Sequence, residues 1–501
     1  MNPAEHFLKI SMLYPELALL AVAVILICIE LLRINISRVW TGYFVLFGIL
    51  ISGALVVMTS LGSVDAYHFI NDSSSRFFKL LFLLAAFLTV TIDMSFSEQE
   101  SNPGDSRYPL ILMSTISLMF LSMASSLVSI FLTLELALIP LVILVTFISR
   151  SKELRKNRER LYVIMALSSL FILFGFSFLY GLSGAVGLLM MKLQIAVVHI
   201  TQRQIGVIIL LTIIAVLTGL LIKAGLIPFN SWMKEAHQNL PVSVTAFFSV
   251  AIVTGVMAAF AKIFINGLFA FHGPEMNPND WGRLVGFIAF VNVLFGTIQF
   301  LRQNELMPMI HYSNIIQVGF ILTGFTAMNE LGLKSAGFYL AAFLFAMAGI
   351  YGVFGHLKQN LNVTTLEELK GLSKSSLLVA SLLATYLMSL AGLPVLAGFV
   401  AKYSIIDAAL EAAARDKTYH WMYLLAGAGV FSAIIVFFKF SKLSLSMFKK
   451  SENAANPLRI PFPLMLTFAI TSAGLLFFGI FPDRLLKLAE QIPQAFGFMT
   501  E

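Results

Sequence analysis

Three charged side chains lie where a hydrocarbon solvent penalises them most. Glu135 sits in FLTLELALIPLVILVTF, Lys223 in IIAVLTGLLIKAGLIPFNSW and Lys402 in MSLAGLPVLAGFVAKYSII. Charges at such depth are costly, so they are paired, hydrated or both. A carboxylate there ionises beside a cation or keeps its proton, and Lys223 is its natural partner. Coupled in this way, the pair is a candidate switch between proton-loading and proton-releasing states. The plainer alternative is a static ion pair that fixes two segments together. Lys402 is a candidate relay, because a lysine, unlike an arginine, can give up its proton. Its own alternative is a lysine snorkelling to an interface.

Glycine and proline flank both lysines. Pro228 follows Lys223 by five residues, and Gly392, Pro394 and Gly398 precede Lys402. Proline removes a backbone donor and opens a helix, so each lysine marks an interrupted span. Two such spans are the pattern of a transporter built from repeats, with its ion site near mid-membrane. Other polar residues read more plainly. Arg160 ends the basic run SRSKELRKNRER, where topology alone accounts for an arginine. Lys262 reads as interfacial or structural rather than as a relay. Gln317 can line a water wire without titrating, and it flanks the first turns of its span together with His311. His237, in KEAHQNLP, reads as a solvent-exposed loop residue. Glu16 reads as interfacial, and Glu30 and Asp93 as facing a helix neighbour or the membrane boundary.

These side chains need long apolar elements to carry them. The chain is 58% hydrophobic and 12% charged, with 46 phenylalanines, which excludes an ordinary soluble domain. Apolar runs predict an all-α polytopic membrane protein with about fourteen transmembrane helices. The runs lie near 12–33, 40–60, 77–96, 108–126, 128–148, 160–181, 206–227, 242–265, 283–301, 309–328, 336–357, 376–409, 420–438 and 460–481. Residues 1–501 read as a single transmembrane domain. Runs four to eight (108–265) and nine to thirteen (283–438) form two five-helix blocks, each with its interrupted helix fourth. An odd number of crossings per block makes consecutive copies inverted. Assigning the odd-numbered loops to the cytoplasm places about 19 Lys and Arg inside and about 11 outside, with both termini outward. The net charge of +7 therefore orients the chain, and no aromatic-basic pattern points to nucleic acid. Cys28 is the single cysteine, which excludes an internal disulfide or a CxxC metal site. No nucleotide-binding glycine motif or histidine pair spaced for a metal or haem is present. The N-terminus MNPAEHFLKI has no basic stretch of the kind that opens a cleavable signal.

The segments around Glu135, Lys223 with PFNSW (228–232), HYSNIIQVGFILTG (311–324) and AGLPVLAGFVAK (391–402) resemble the antiporter-like subunits of respiratory complex I and of Mrp cation/proton antiporters. Within that family, SSLFILFGFSFLYGLSG (168–184), SVTAFFSVA (243–251) and TLEELKGLSKSSLLVASLLATYLMSLAGLP (365–394) most resemble the N-type subunits of NADH–quinone oxidoreductase. Lysine rather than glutamate at 402 disfavours the M type, and a chain without a long lateral helix disfavours the L type. The likeness covers about residues 10–485.

The resemblance implies a proton-translocating membrane-arm subunit of a translocase. Glu135, Lys223 and Lys402 would be its proton relay, with Arg160, Gln317 and Lys262 as weaker members. It implies no redox centre in this chain: FMN, iron–sulfur clusters and quinone would belong to partner subunits, and no metal is expected. Partners would be other membrane-arm subunits and the lipid bilayer, in a bacterial inner membrane. Departures from the family pattern fall on the polar axis. Arg160 stands where the family has a lysine, Val253 where it has a central lysine, and Asn230 and Gln317 where it has histidines. Lys262 lies nine residues beyond Val253, roughly 13 Å along a helix. An Mrp-type antiporter subunit and a non-conducting structural subunit are the alternatives.

Overall fold

The computed structural model of the chain describes residues 11–34, 36–59, 61, 68–96, 107–148, 152–201, 206–268, 279–449 and 458–496. Every apolar run of the sequence falls on helix. The first block of three comprises α1 (Tyr14–Leu31), α2 (Arg38–Met58) and α3 (Ser73–Ser95). There follow α4 (Arg107–Met123), α5 (Leu127–Ile148), α6 (Lys152–Ser183), α7 (Leu188–Thr201), α8 (Gly206–Ala224), α9 (Ser231–Asn239) and α10 (Val242–Gly267). The remainder comprises α11 (Asn279–Arg302), α12 (Leu306–Thr326), α13 (Glu330–Leu361), α14 (Leu377–Ala391), α15 (Ala397–Arg415), α16 (Met422–Met447), α17 (Phe462–Ile480) and α18 (Pro482–Ala489). Eleven of the described helices are long and apolar enough to cross a membrane, and α4 and α14 are apolar but shorter. The apolar helix α7 was not expected: its 14 residues span only about 21 Å, below the length that marks a crossing.

Helix starts are set by side chains that accept from the first free backbone N–H groups. Asp72 caps α3 through Ser75 N at 2.7 Å, Asn329 caps α13 through Gly332 N at 2.7 Å, and Ser376 caps α14 through Val379 N at 3.2 Å. The packing is centred on α10 and α13, whose apolar windows are wholly buried, while α1 and α17 bury only 28% of theirs. A helix that is apolar on all sides belongs inside the bundle, and α10 fits that rule.

The loops sort into two sets. At one end, Asp93 joins Arg38, Arg107 and Ser243; Gln238 reaches Glu305; Leu306 N bonds Thr364 O; Gly371 N bonds Ser446 O; and Leu458 N bonds Ser375 O. At the other, Ile70 N bonds Met123 O, Leu127 N bonds Val186 O, Tyr419 meets Met328, and Lys334 pairs with Glu490. Among the described residues no loop hydrogen bond or ion pair joins the two sets. The first set holds the odd-numbered loops, which carry most of the basic residues, and is called the basic end below.

Two winding changes were invisible to a count of 3.6 residues per turn. α10 contains π-helical stretches at Phe248–Ile252 and Ala261–Gly267. Such stretches rotate the faces that follow them, whereas the turns between Val253 and Phe260 are regular α-helix.

Candidate functional site

The first break follows α8. Gly225 takes φ +64°, a conformation that suits glycine, and Leu226 N closes back onto Leu221 O at 3.0 Å. Pro228 follows a cis peptide, and the chain resumes as α9 at Ser231. Two side chains occupy the backbone groups that the break frees. Trp232 donates to Ile222 O at 2.8 Å. From α11, Asn292 accepts from Ile227 N at 3.0 Å. A lone Asn292 within an apolar helix was the available sequence signal for this clamp.

Glu135 on α5 and Lys223 on α8 meet beside that break, 2.9 Å apart. Lys223 is fully buried, whereas Glu135 keeps 21% of its side-chain surface. Ser169 on α6 lies between them, donating to Glu135 Oε1 at 2.7 Å and accepting from Lys223 Nζ at 3.3 Å. A third element is thus bonded to both members of the pair, which a sequence reading of two charges did not foresee. A proton arriving on Glu135 would remove the charge that stabilises Lys223 in low dielectric, and the reverse holds for a proton leaving Lys223.

The second break has a different chemistry. Gly392 at φ +94° ends α14, and Leu393 N bonds Met388 O at 2.9 Å, closing the last turn. Lys402, on α15, reaches back across the gap. Its Nζ donates to Leu390 O at 2.6 Å and Ala391 O at 3.4 Å, and lies 5.2 Å from the centre of the Phe320 ring. These carbonyls are the orphan acceptors at the negative end of a helix, which favours a cation there. Among the described residues Lys402 has no carboxylate partner. A neutral amine can still donate to a carbonyl, so Lys402 can lose its proton without leaving a buried anion behind. Interfacial snorkelling is excluded for this side chain, which is buried within the bundle.

Glu135 and Lys223 are therefore brought together, and Lys402 is not with them. Apolar side chains fill the space between α8 and α12: Leu221 of α8, Met257 and Phe260 of α10, and Leu322 of α12. Gln317 is buried and accepts a short hydrogen bond from Tyr339, whose ring stacks 6.0 Å from Phe320. It therefore belongs with Lys402.

The other residues singled out in the sequence divide between readings that hold and readings that fail. Arg160 pairs with Glu235 and reaches Ser231, so it ties α6 to α9 rather than acting directly on Glu135. Lys262 is buried rather than interfacial, because α10 is enclosed by the bundle on every face. Asn230 precedes α9 without a side-chain cap, and Val253 is buried where the first π stretch ends. Glu16 is buried rather than interfacial and pairs with Lys79, also buried, at 2.8 Å. Asp93 does face its helix neighbours, as a buried junction 2.6 Å from Arg38, 3.3 Å from Arg107 and 2.6 Å from Ser243. His237 is not a solvent-exposed loop residue: it is buried on α9, bonded to Met233 O and Tyr351 OH, each at 2.7 Å. The polar string KEAHQN disguised it, because burial arises only when α9 docks on α12 and His237 meets Tyr351 of α13.

An all-helical membrane bundle with two interrupted helices, one presenting a buried Glu–Lys pair and the other a carbonyl-capped lysine, is an antiporter-like transmembrane protein. The chain belongs to the family described as NADH:quinone oxidoreductase/Mrp antiporter, TM, which residues 124–436 match. It is 28% identical over 500 residues to NADH-quinone oxidoreductase subunit N of Trichlorobacter lovleyi, covering 98% of each chain. Its fold is similar to a chain of respiratory complex I from Thermus thermophilus with bound aureothin. The TM-score is 0.76 at 23% identity, with 95% of this chain and 99% of that one covered. A chain of the Mrp complex from Dietzia sp. DQ12-45-1b is similar too, with TM-score 0.80 at 21% identity and 98% of each chain covered.

Proposed function

We propose that this chain is the antiporter-like, N-type membrane-arm subunit of an NADH–quinone oxidoreductase, and that it moves protons as electrons pass from NADH to quinone elsewhere in the complex. The observation that carries this reading is the Glu135–Lys223 pair at one helix break, matched by Lys402 at the other. The pair can hold one proton fewer or more only as a unit, whereas Lys402 exchanges its proton alone. Glu135 and Lys223 load the proton, and Lys402 relays it. Gln317 and Tyr339 line the approach, while Arg160 holds the α6–α9 corner against which the pair works.

The chain crosses the membrane fourteen times, with the basic end in the cytoplasm and both termini outward. The alternation of loop contacts and the basic bias support this arrangement. Residues 108–265 and 283–438 are inverted five-helix copies within the one domain. FMN, iron–sulfur clusters and quinone are held by partner subunits, and the location is a bacterial inner membrane. The whole-length likeness to an N-type subunit favours this reading over an Mrp-type antiporter.

The deciding experiment replaces Glu135 by Gln in the intact complex and measures protons moved per electron. A lowered ratio with electron transfer retained supports the reading. Purification with a small antiporter assembly instead of peripheral redox proteins would replace it by the Mrp alternative.

A further inference from the structure

At the basic end, reached by the helix α9 that follows the first break, lies a second buried polar cluster. His311 on α12 is fully buried, and neither ring nitrogen has a protein partner. Its ring centre lies 5.0 Å from that of His237. His237 Nδ1 is 2.7 Å from Met233 O, an atom that can only accept, so Nδ1 carries the proton and Nε2 is the acceptor. That Nε2 meets Tyr351 OH at 2.7 Å and Ser249 Oγ at 3.1 Å, and the two hydroxyls are 2.8 Å apart. With Nε2 accepting, the two hydroxyls take one of two arrangements: Ser249 donates to Tyr351 and Tyr351 to Nε2, or Tyr351 donates to Ser249 and Ser249 to Nε2. Four helices, α9, α10, α12 and α13, contribute to it.

A cavity of about 180 Å³ opens beside this cluster, lined by Gln238, Glu305, Pro308, Phe354, Lys358 and Thr364 among others. Pro308 is one turn from His311, and Phe354 is one turn from Tyr351. Such a volume accommodates several waters, and buried polar atoms without protein partners are where ordered water binds. Beyond His311, Asn314 offers an unpartnered buried Oδ1, and Gln317 follows. The three are spaced by three residues, about 4.5 Å of rise each. Gln317 bonds Tyr339, whose ring stacks on Phe320, and Lys402 Nζ lies over the same Phe320 ring; the phenyl carries no proton, so water beside it makes the last step to Lys402. The charged groups around the cluster are Lys234, 5.8 Å from the Tyr312 ring centre, with Glu305 and Lys358 at the cavity.

We propose that His311, with His237, Tyr351 and Ser249, is a proton-binding site with its own aqueous access from the basic end, feeding Lys402 along α12 independently of the Glu135–Lys223 pair. This rests on the proton-translocating reading above. A proton from cavity water binds one nitrogen of His311 and leaves through water at Asn314, so no other bond is made or broken.

The test is proton pumping per electron in vesicles carrying the assembled complex with His311→Gln, His311→Ala, Tyr351→Phe or Lys402→Ala. His311→Gln keeps a hydrogen-bonding side chain that cannot carry the proton. Expected are a lowered ratio with electron transfer retained, a smaller loss in Tyr351→Phe, and partial recovery of His311→Ala on adding imidazole. Wild-type pumping in His311→Gln and Tyr351→Phe, with Lys402→Ala impaired, would overturn this site alone. A His311→Ala deficit that imidazole leaves unchanged would assign His311 a packing role and overturn it as well. Wild-type pumping in all four would remove the underlying reading and the site together. Should His311→Gln fail to assemble, Tyr351→Phe decides, since it removes one hydroxyl and wild-type pumping there is equally contrary.

Discussion

Lys402 Nζ donates to the carbonyl of Leu390 at 2.6 Å, so the lysine of one half-helix caps the end of the other. Lys223 is held instead by the carboxylate of Glu135 at 2.9 Å. One lysine is thus tied to a charge and the other to a dipole, which separates their roles. A charge pair resists losing either member, whereas a dipole-capped amine exchanges its proton at lower cost.

Lys402→Ala should therefore depress proton translocation while the complex still assembles. The substitution removes a costly buried cation and leaves the Leu390 and Ala391 carbonyls short of a donor, a penalty of about 1–3 kcal/mol. Blue-native electrophoresis reports assembly, and vesicle acidification reports transport. Loss of the assembled complex would assign Lys402 a structural role instead.

The second break depends on close backbone approach. A Cβ on Gly398 would lie 1.9 Å from Ser389 O, and one on Gly479 would lie 2.1 Å from Val395 O. Neither neighbour is a flexible side-chain tip. Gly398→Ala and Gly479→Ala should each force α14, α15 or α17 apart, with a loss of about 1–3 kcal/mol or more. The check is thermal stability of the purified complex, compared with Gly427→Ala, where the added carbon meets nothing within 4 Å.

Much of this site is legible in the amino-acid sequence, and the reason is depth. Glu135, Lys223 and Lys402 stand out because each interrupts a long apolar run, and glycine and proline mark the breaks. His237 and Glu16 were misread because their burial depends on partners remote in sequence, Tyr351 and Lys79. The burial of Lys262 follows from the enclosure of α10 on every face, which depends on helices remote in sequence. Ser169, the hydroxyl between Glu135 and Lys223, looks like any serine in a membrane helix until three helices are assembled.

Asp93 joins α2, α3, α4 and α10 through Arg38, Arg107 and Ser243. Asp93→Ala removes the shared carboxylate from two guanidinium groups, at a cost of about 3–5 kcal/mol for a buried pair. The expected outcome is reduced abundance of the complex, read by immunoblot, without a selective change in protons per electron. A selective pumping defect at normal abundance would move Asp93 from scaffold to relay.

Loop chemistry at the basic end gives a pH dependence of known sign. Glu368 accepts from Thr364 N at 2.7 Å and Thr365 N at 3.1 Å, and these backbone donors hold its carboxyl below the ordinary value. A depressed carboxylate contributes stability above its unfolded pKa and loses that contribution as pH falls through the folded value. Glu368→Gln should then melt slightly below wild type near neutrality, with the gap closing in acid. A gap that widens in acid would contradict the assignment.

The central claim is that Glu135 and Lys223 act as one proton-loading unit. The most direct measurement is protons translocated per electron in vesicles carrying intact complex with Glu135→Gln, Lys223→Met and the two changes combined. Each single change is expected to lower the ratio while electron transfer to quinone continues. The combination should be no worse than the more damaging single change, because groups that act as a unit are not additive. Wild-type ratios in both single variants, or losses that simply add in the double, would contradict the account.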